Sequence, residues 1–306
     1  MFMKPKILIT GGSGLLALNW ATTFRDQYTV VLGLHRRQVS LAGATALHLN
    51  LESLTGLIQQ FEVLQPQIVI HAAGLTSVEK CESEPILARQ LNVFLATNIA
   101  KVCAMFKVPF AHISTDHLFS GENVFADENS LKSPLNVYGI CKAEAELRVL
   151  EENPEALVIR TNFYGWGTSY RQSFSDLIIR TLRAEKKLEL FDDVFYTPIL
   201  AQILAEATHD LINLKANGIF NIVSGQRLSK FDFGLKLAKE FRLNKALIKA
   251  THLSKRSSLV KRPLDMSLSN KKAISLLGGD FGTIDDHISR LRQQEENGMA
   301  IELGKL

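Results

Sequence analysis

The feature that most constrains this chain is Thr10-Gly11-Gly12-Ser13-Gly14, which joins the apolar run Lys6-Ile7-Leu8-Ile9-Thr10 to a helical stretch over 15–25. The apolar run lacks polar alternation, as expected of a strand buried on both faces. Glycines at such a junction permit a tight turn, let backbone approach a pyrophosphate and aim it at the positive end of the helix. With Ala17 the turn reads G-x-G-x-x-A. Strand, turn and helix together open a βαβ unit.

The rhythm continues. The sequence predicts strands over 29–34, 47–49, 67–71, 109–114 and 156–160, with helices over 54–64, 84–106 and 134–152. Such alternation implies an α/β fold, a Rossmann-type doubly wound parallel sheet. Beyond about 165 it loosens into helices near 174–184, 199–213 and 230–241 and a strand at 218–223. We therefore expect an NAD(P)-binding Rossmann domain over 1–165, with segments about 199–224 returning to it. A smaller C-terminal α/β substrate-binding lobe is expected mainly over 166–198 and 225–306.

Composition excludes several classes. The 306 residues are 46% hydrophobic and 22% charged, which argues against disorder. Lys plus Arg exceeds Asp plus Glu by 35 to 31, too slight an excess for a dedicated nucleic-acid binder. No apolar run approaches the ~20 residues needed to cross a bilayer. The N-terminus lacks the features of a signal peptide, and Cys81, Cys103 and Cys141 have no metal-ligand spacing. A cytoplasmic protein without nucleic-acid or membrane partners is expected.

The second strand ends in His35-Arg36-Arg37 with no acidic residue nearby. An NAD site commonly places Asp or Glu there for the ribose 2′-hydroxyl, whereas a guanidinium suits a 2′-phosphate. NADPH is favoured over NADH, with Arg36 and Arg37 as its candidate ligands. Further on, Tyr138-Gly139-Ile140-Cys141-Lys142 puts Tyr138 and Lys142 on one helix face. A nearby ammonium would lower the tyrosine's pKa and suit it to acid/base work. The fifth strand ends in Ser114-Thr115-Asp116, where the Thr115 hydroxyl can join Tyr138 in holding a carbonyl oxygen. His112 reads as a packed core histidine, and His117 is close enough to Thr115 to reach a pocket.

These motifs make the chain similar to the extended short-chain dehydrogenase/reductases, and more closely to the dTDP-4-dehydrorhamnose reductase family. The resemblance spans nearly the whole chain. It also rests on the stretch from His71 to Glu82, on Asn92, on Ile113 to Gly121, on Ile159-Arg160-Thr161 and on Lys261 to Leu268. The resemblance implies NADPH-dependent reduction of the 4-keto group of a nucleotide-linked 6-deoxysugar. Tyr138 would protonate the developing alkoxide, Lys142 would bind the nicotinamide ribose, and Thr115 would bond the substrate oxygen. Gly11, Ser13, Gly14 and Leu15 would cradle the pyrophosphate, with Arg36 on the 2′-phosphate. Asn50 and Leu51 would lie near the adenine, and Ala72, Ala73, Gly74 and Phe163 along the cofactor. Thr76, Val78, Asp116 and Phe163 would face the sugar, and Arg262 the nucleotide diphosphate.

Departures from the family pattern limit what is carried over. Asn50 stands where an Asp is usual, and Phe163 where a Trp is common. Members that dimerise around magnesium use a Glu at the position of Asn19, so no metal is expected; a homodimer stays open. Two other readings also stay open. One is a nucleotide-sugar epimerase or dehydratase, which Asp116-His117 after Thr115 and the Arg36-Arg37 pair both disfavour. The other is a non-catalytic NADP-binding regulator resembling the beta subunit of methionine adenosyltransferase.

Overall fold

The computed structural model describes residues 4–256 and 258–306. Seven strands build one parallel sheet: β1 (Lys6–Thr10), β2 (Thr29–Leu34), β3 (Ala44–His48), β4 (Ile68–His71), β5 (Phe110–Ile113), β6 (Leu157–Arg160) and β7 (Gly218–Asn221). Their order is β7-β6-β5-β4-β1-β2-β3, so the winding reverses between β1 and β4. In an open α/β sheet, that reversal opens a crevice beyond the carboxyl ends of the strands.

The strands are short and apolar because helices cover both faces. Ile7 and Ile9 of β1 pack into one layer while Leu8 packs into the other. Ile68 and Ile70 against Val69, and Val30 and Leu32 against Val31, repeat the alternation. The first layer is filled by α1 (Leu15–Phe24), through Leu16, Trp20 and Phe24. The second is filled by Leu57 and Phe61 of α2 (Leu54–Leu64), Ile99 and Val102 of α3 (Leu95–Phe106), and Ala145 and Val149 of α4 (Val137–Glu152). Later in the chain, α5 (Ala201–Asn213) returns to the first layer with Leu204 and Leu211.

Two expected elements differ. The third strand runs over Ala44–His48 rather than 47–49, because it pairs in register with β2 from Val30↔Ala44 to Leu34↔His48. It is the sheet edge and largely exposed, so it carries little hydrophobic signal. The helix expected over 84–106 is broken into Pro85–Arg89, a π turn at Gln90–Phe94 and α3.

Beyond the sheet, Phe163–Tyr164 pairs with Ile199–Leu200, and Phe195–Tyr196 lies between Leu228–Ser229 and Asp265–Met266. Three C-terminal helices, Lys271–Leu277, Ile284–Glu296 and Met299–Gly304, were not anticipated. They bind back to the first layer: Trp166 donates to the Leu291 carbonyl at 3.0 Å, and Arg25 grips Glu302 with two bonds of 2.5 and 2.9 Å. Among the described residues, no helix is long and apolar enough to cross a membrane.

Candidate active site

The turn after β1 is built for close approach. Gly11 takes φ +67°, and a Cβ there would come within 2.8 Å of the Ala73 backbone and 2.9 Å of the Ala72 carbonyl. The Gly14 amide closes the turn on the Gly11 carbonyl at 2.7 Å. Gly14 then caps α1 with no side-chain bond, and the first turn holds no acidic residue. The helix therefore offers open amides and its positive end to an anion. That donor set fits a dinucleotide pyrophosphate, and it faces a cavity of about 820 Å³ at the carboxyl ends of β1, β4 and β5.

The segment after β4 is fixed from behind. Asn92 accepts from the Leu75 amide at 2.7 Å and donates to the Leu75 carbonyl at 3.0 Å. Asn92 lies buried in the π turn at Gln90–Phe94. Gly74 is needed beside it, since a Cβ would approach Asn92 Oδ1 to 2.7 Å.

The Tyr138 side chain is brought to the cavity by α4. Asn136 caps that helix by accepting from the Gly139 amide at 2.9 Å and ties it to the Lys261 carbonyl at 3.0 Å. At Gly139 a Cβ would collide with the His117 carbonyl, so glycine lets the helix close on the segment after β5. Burial pushes the Tyr138 phenol up to about 12, with the Thr115 hydroxyl drawing it the other way. Tyr138 is thus a protonated donor at neutral pH. The expected lowering by Lys142 is not the arrangement found. The Lys142 ammonium turns to β5 instead, bonding His112 Nε2 at 3.0 Å and the Ile113 carbonyl at 2.7 Å. Burial drives this lysine down to about 8, and Glu146 on the same helix opposes the fall.

Most of the candidate residues meet in this one cavity. Gly11, Ser13, Gly14 and Leu15 line it beside Asn50, Leu51, Ala72, Ala73 and Gly74, and Thr76, Val78, Thr115, Asp116, Tyr138, Lys142 and Phe163 complete the wall. Two do not join them. Arg36 is exposed and outside the lining, whereas Arg37 lines the cavity with its guanidinium 3.9 Å over the Tyr170 ring. Arg262 also lies outside, because it is drawn into an ion pair with Glu79.

Sequence reasoning missed Tyr170 and Arg171. The Tyr170 hydroxyl donates to the Ser13 carbonyl at 2.8 Å, and Arg171 bonds the Thr76 hydroxyl. Both contacts span long stretches of chain, so no local pattern announced them. His117 does reach the cavity, its ring edge-on to Tyr138 at 5.6 Å between centroids. Its Nδ1 is buried without a partner.

Fold and site together define an NAD(P)H-dependent oxidoreductase of the short-chain dehydrogenase/reductase type. The chain belongs to the RmlD substrate-binding-domain family, whose model matches residues 3–295, within the NAD-dependent epimerase/dehydratase superfamily. It is 28% identical to a probable low-salt glycan biosynthesis reductase of Haloferax volcanii, over 92% of this chain and 96% of that protein. It is 29% identical to the methionine adenosyltransferase 2 subunit beta of Mus musculus, over 78% of this chain and 72% of that one. A dTDP-4-dehydrorhamnose reductase from Bacillus anthracis, solved in complex with NADP, superposes with a TM-score of 0.83 at 22% identity, covering 95% of this chain and 100% of that one.

Proposed function

We propose that this protein reduces the 4-keto group of a nucleotide-linked 6-deoxysugar with NADPH. The observation that carries the reading is the convergence of a protonated Tyr138, the Thr115 hydroxyl and Lys142 in the cavity that the glycine turn opens. NADPH, when bound, supplies the hydride. Thr115 and Tyr138 hold the carbonyl oxygen by hydrogen bonds, and Tyr138 gives its proton as the oxygen becomes an alkoxide. Lys142 binds the nicotinamide ribose.

Gly11, Ser13, Gly14 and Leu15 hold the pyrophosphate, while Asn50 and Leu51 meet the adenine side. Arg37, braced on Tyr170, takes the 2′-phosphate in place of Arg36. Ala72, Ala73 and Gly74 run along the cofactor, with Phe163 between it and the sugar. Thr76, Val78, Asp116 and His117 face the sugar, and Arg171, from the segment 166–198, stands beside Thr76 on the substrate side. The relative from B. anthracis supports NADP as the cofactor class, and the Haloferax protein supports glycan assembly as the setting.

The test is NADPH consumption with a panel of nucleotide-linked 4-keto-6-deoxysugars, comparing the parent with Tyr138→Phe. Turnover by the parent with a loss of about 100-fold or more in the variant is expected, the range of general acid catalysis. Tight NADPH binding without turnover on the whole panel would contradict the reading and favour a non-catalytic subunit, the mouse relative being named a subunit beta of methionine adenosyltransferase 2.

A further inference from the structure

Beneath Lys142, two histidines lie side by side in the middle of the sheet. His71 ends β4 and His112 stands opposite it in β5. Their rings stack 5.4 Å apart at 21°, and both are buried. Central parallel strands ordinarily carry aliphatic residues. Here each ring leaves one nitrogen buried and unpartnered, Nε2 of His71 and Nδ1 of His112. An aliphatic pair would avoid that desolvation, so the histidines call for a different account. Their bonded nitrogens supply one. His71 Nδ1 meets the Thr10 hydroxyl at 2.8 Å, and His112 Nε2 lies 3.0 Å from Lys142 Nζ.

We propose that His112 is a positioning residue whose neutral ring accepts one N–H of the Lys142 ammonium through Nε2, while the Ile113 carbonyl accepts the second and the third is left to face the cavity. The role in turnover rests on the reading of Lys142 as the lysine that meets the cofactor. Facing Lys142 are His112 from β5, with His71 of β4 stacked behind it. On its own helix lie Tyr138, Cys141 and Glu146. Glu146 is already engaged by Arg160 at 2.8–2.9 Å, by Ser114 at 2.7 Å and by Lys132 at 3.4 Å. The ammonium's direct acceptors therefore come from the strand. Burial, then the charge of Lys142, then His71 hold His112 well below an ordinary imidazole, so it stays neutral and able to accept. With Lys142 itself near 8, one lost acceptor alters its charge at working pH.

The test needs neither cofactor nor substrate. Nitrogen-15 NMR of the parent protein reads the His112 tautomer. A bare Nε2 with hydrogen on Nδ1 is expected, and hydrogen on Nε2 overturns the proposal. Titration of the Lys142 side chain then compares the parent with His112→Leu and His112→Gln. The leucine variant should lower the Lys142 midpoint by about one pH unit, and glutamine, which keeps an acceptor, should restore it. An unchanged midpoint in folded His112→Leu overturns the proposal, and if that variant does not fold, the parent's tautomer decides. In turnover, the alkaline limb of kcat/KM should move with the Lys142 midpoint. Because the titrations are read on the free protein, a chain that reduced no sugar would leave their result standing.

Discussion

Arg36 and Arg37 are adjacent and identical in chemistry, yet only Arg37 reaches the cavity, because Tyr170 gives its guanidinium a flat face to rest on. Arg37→Ala should weaken NADPH binding about tenfold or more while leaving NADH binding nearly unchanged, and Arg36→Ala should do neither. Fluorescence titration with both cofactors checks this; equal losses for the two arginines would refute it. At this scale the sequence was legible wherever spacing along the chain sets geometry. The glycine turn, the i, i+4 relation of Tyr138 and Lys142, and Thr115 at a strand end are local facts. Tyr170 on Ser13 and Arg171 on Thr76 join residues 157 and 95 positions apart. No single-sequence pattern encodes such pairs.

Among the elements, α4 does two jobs along one face. Its first turns present Tyr138 and Lys142, and a turn further on Glu146 pairs with Arg160 of β6, both almost wholly buried. Burial raises the Glu146 carboxyl, and Arg160 and Ser114 outweigh it, so the group is held below the usual carboxylate range. Glu146→Ala should therefore destabilise the protein by about 3–5 kcal/mol, as expected when one partner of a buried pair is removed. Urea unfolding at neutral pH measures it, and a loss under about 1 kcal/mol, typical of surface pairs, would contradict the assignment. The helices expected over 54–64 and 134–152 match Leu54–Leu64 and Val137–Glu152 to within three residues, whereas the π turn at Gln90–Phe94 and the three C-terminal helices were not readable. The π turn holds Asn92 in a tertiary contact with Leu75, which periodicity cannot register. The edge strand Ala44–His48 was faint for a related reason: exposed strands carry little apolar signal.

Across the whole molecule, a doubly wound parallel sheet with right-handed winding was legible and the order of its strands was not, and buried histidines set a further property. Burial pushes His71 down to about 3 and His209 down to about 4, so both stay neutral in the fold. In the unfolded chain they titrate near 6.5. Below that pH the unfolded state binds more protons, so stability present above about 6.5 is lost as pH falls toward the folded values. Between pH 6.5 and 5 the two together should remove about 3 kcal/mol. Urea unfolding at both pH values reads the loss, and His209→Gln should lose less. An identical decline in that variant would rule out the His209 share.

The same protein must also perform chemistry, and its central claim is hydride delivery to a sugar carbonyl with Tyr138 as proton donor. The most direct measurement uses NADPH deuterated on the transferring face and follows the label by mass spectrometry. With an accepted 4-keto sugar, the account predicts one deuterium at C4 of the product from the parent and almost none from Tyr138→Phe in the same time. Product without label, or equal labelling by the Tyr138→Phe variant, would contradict it.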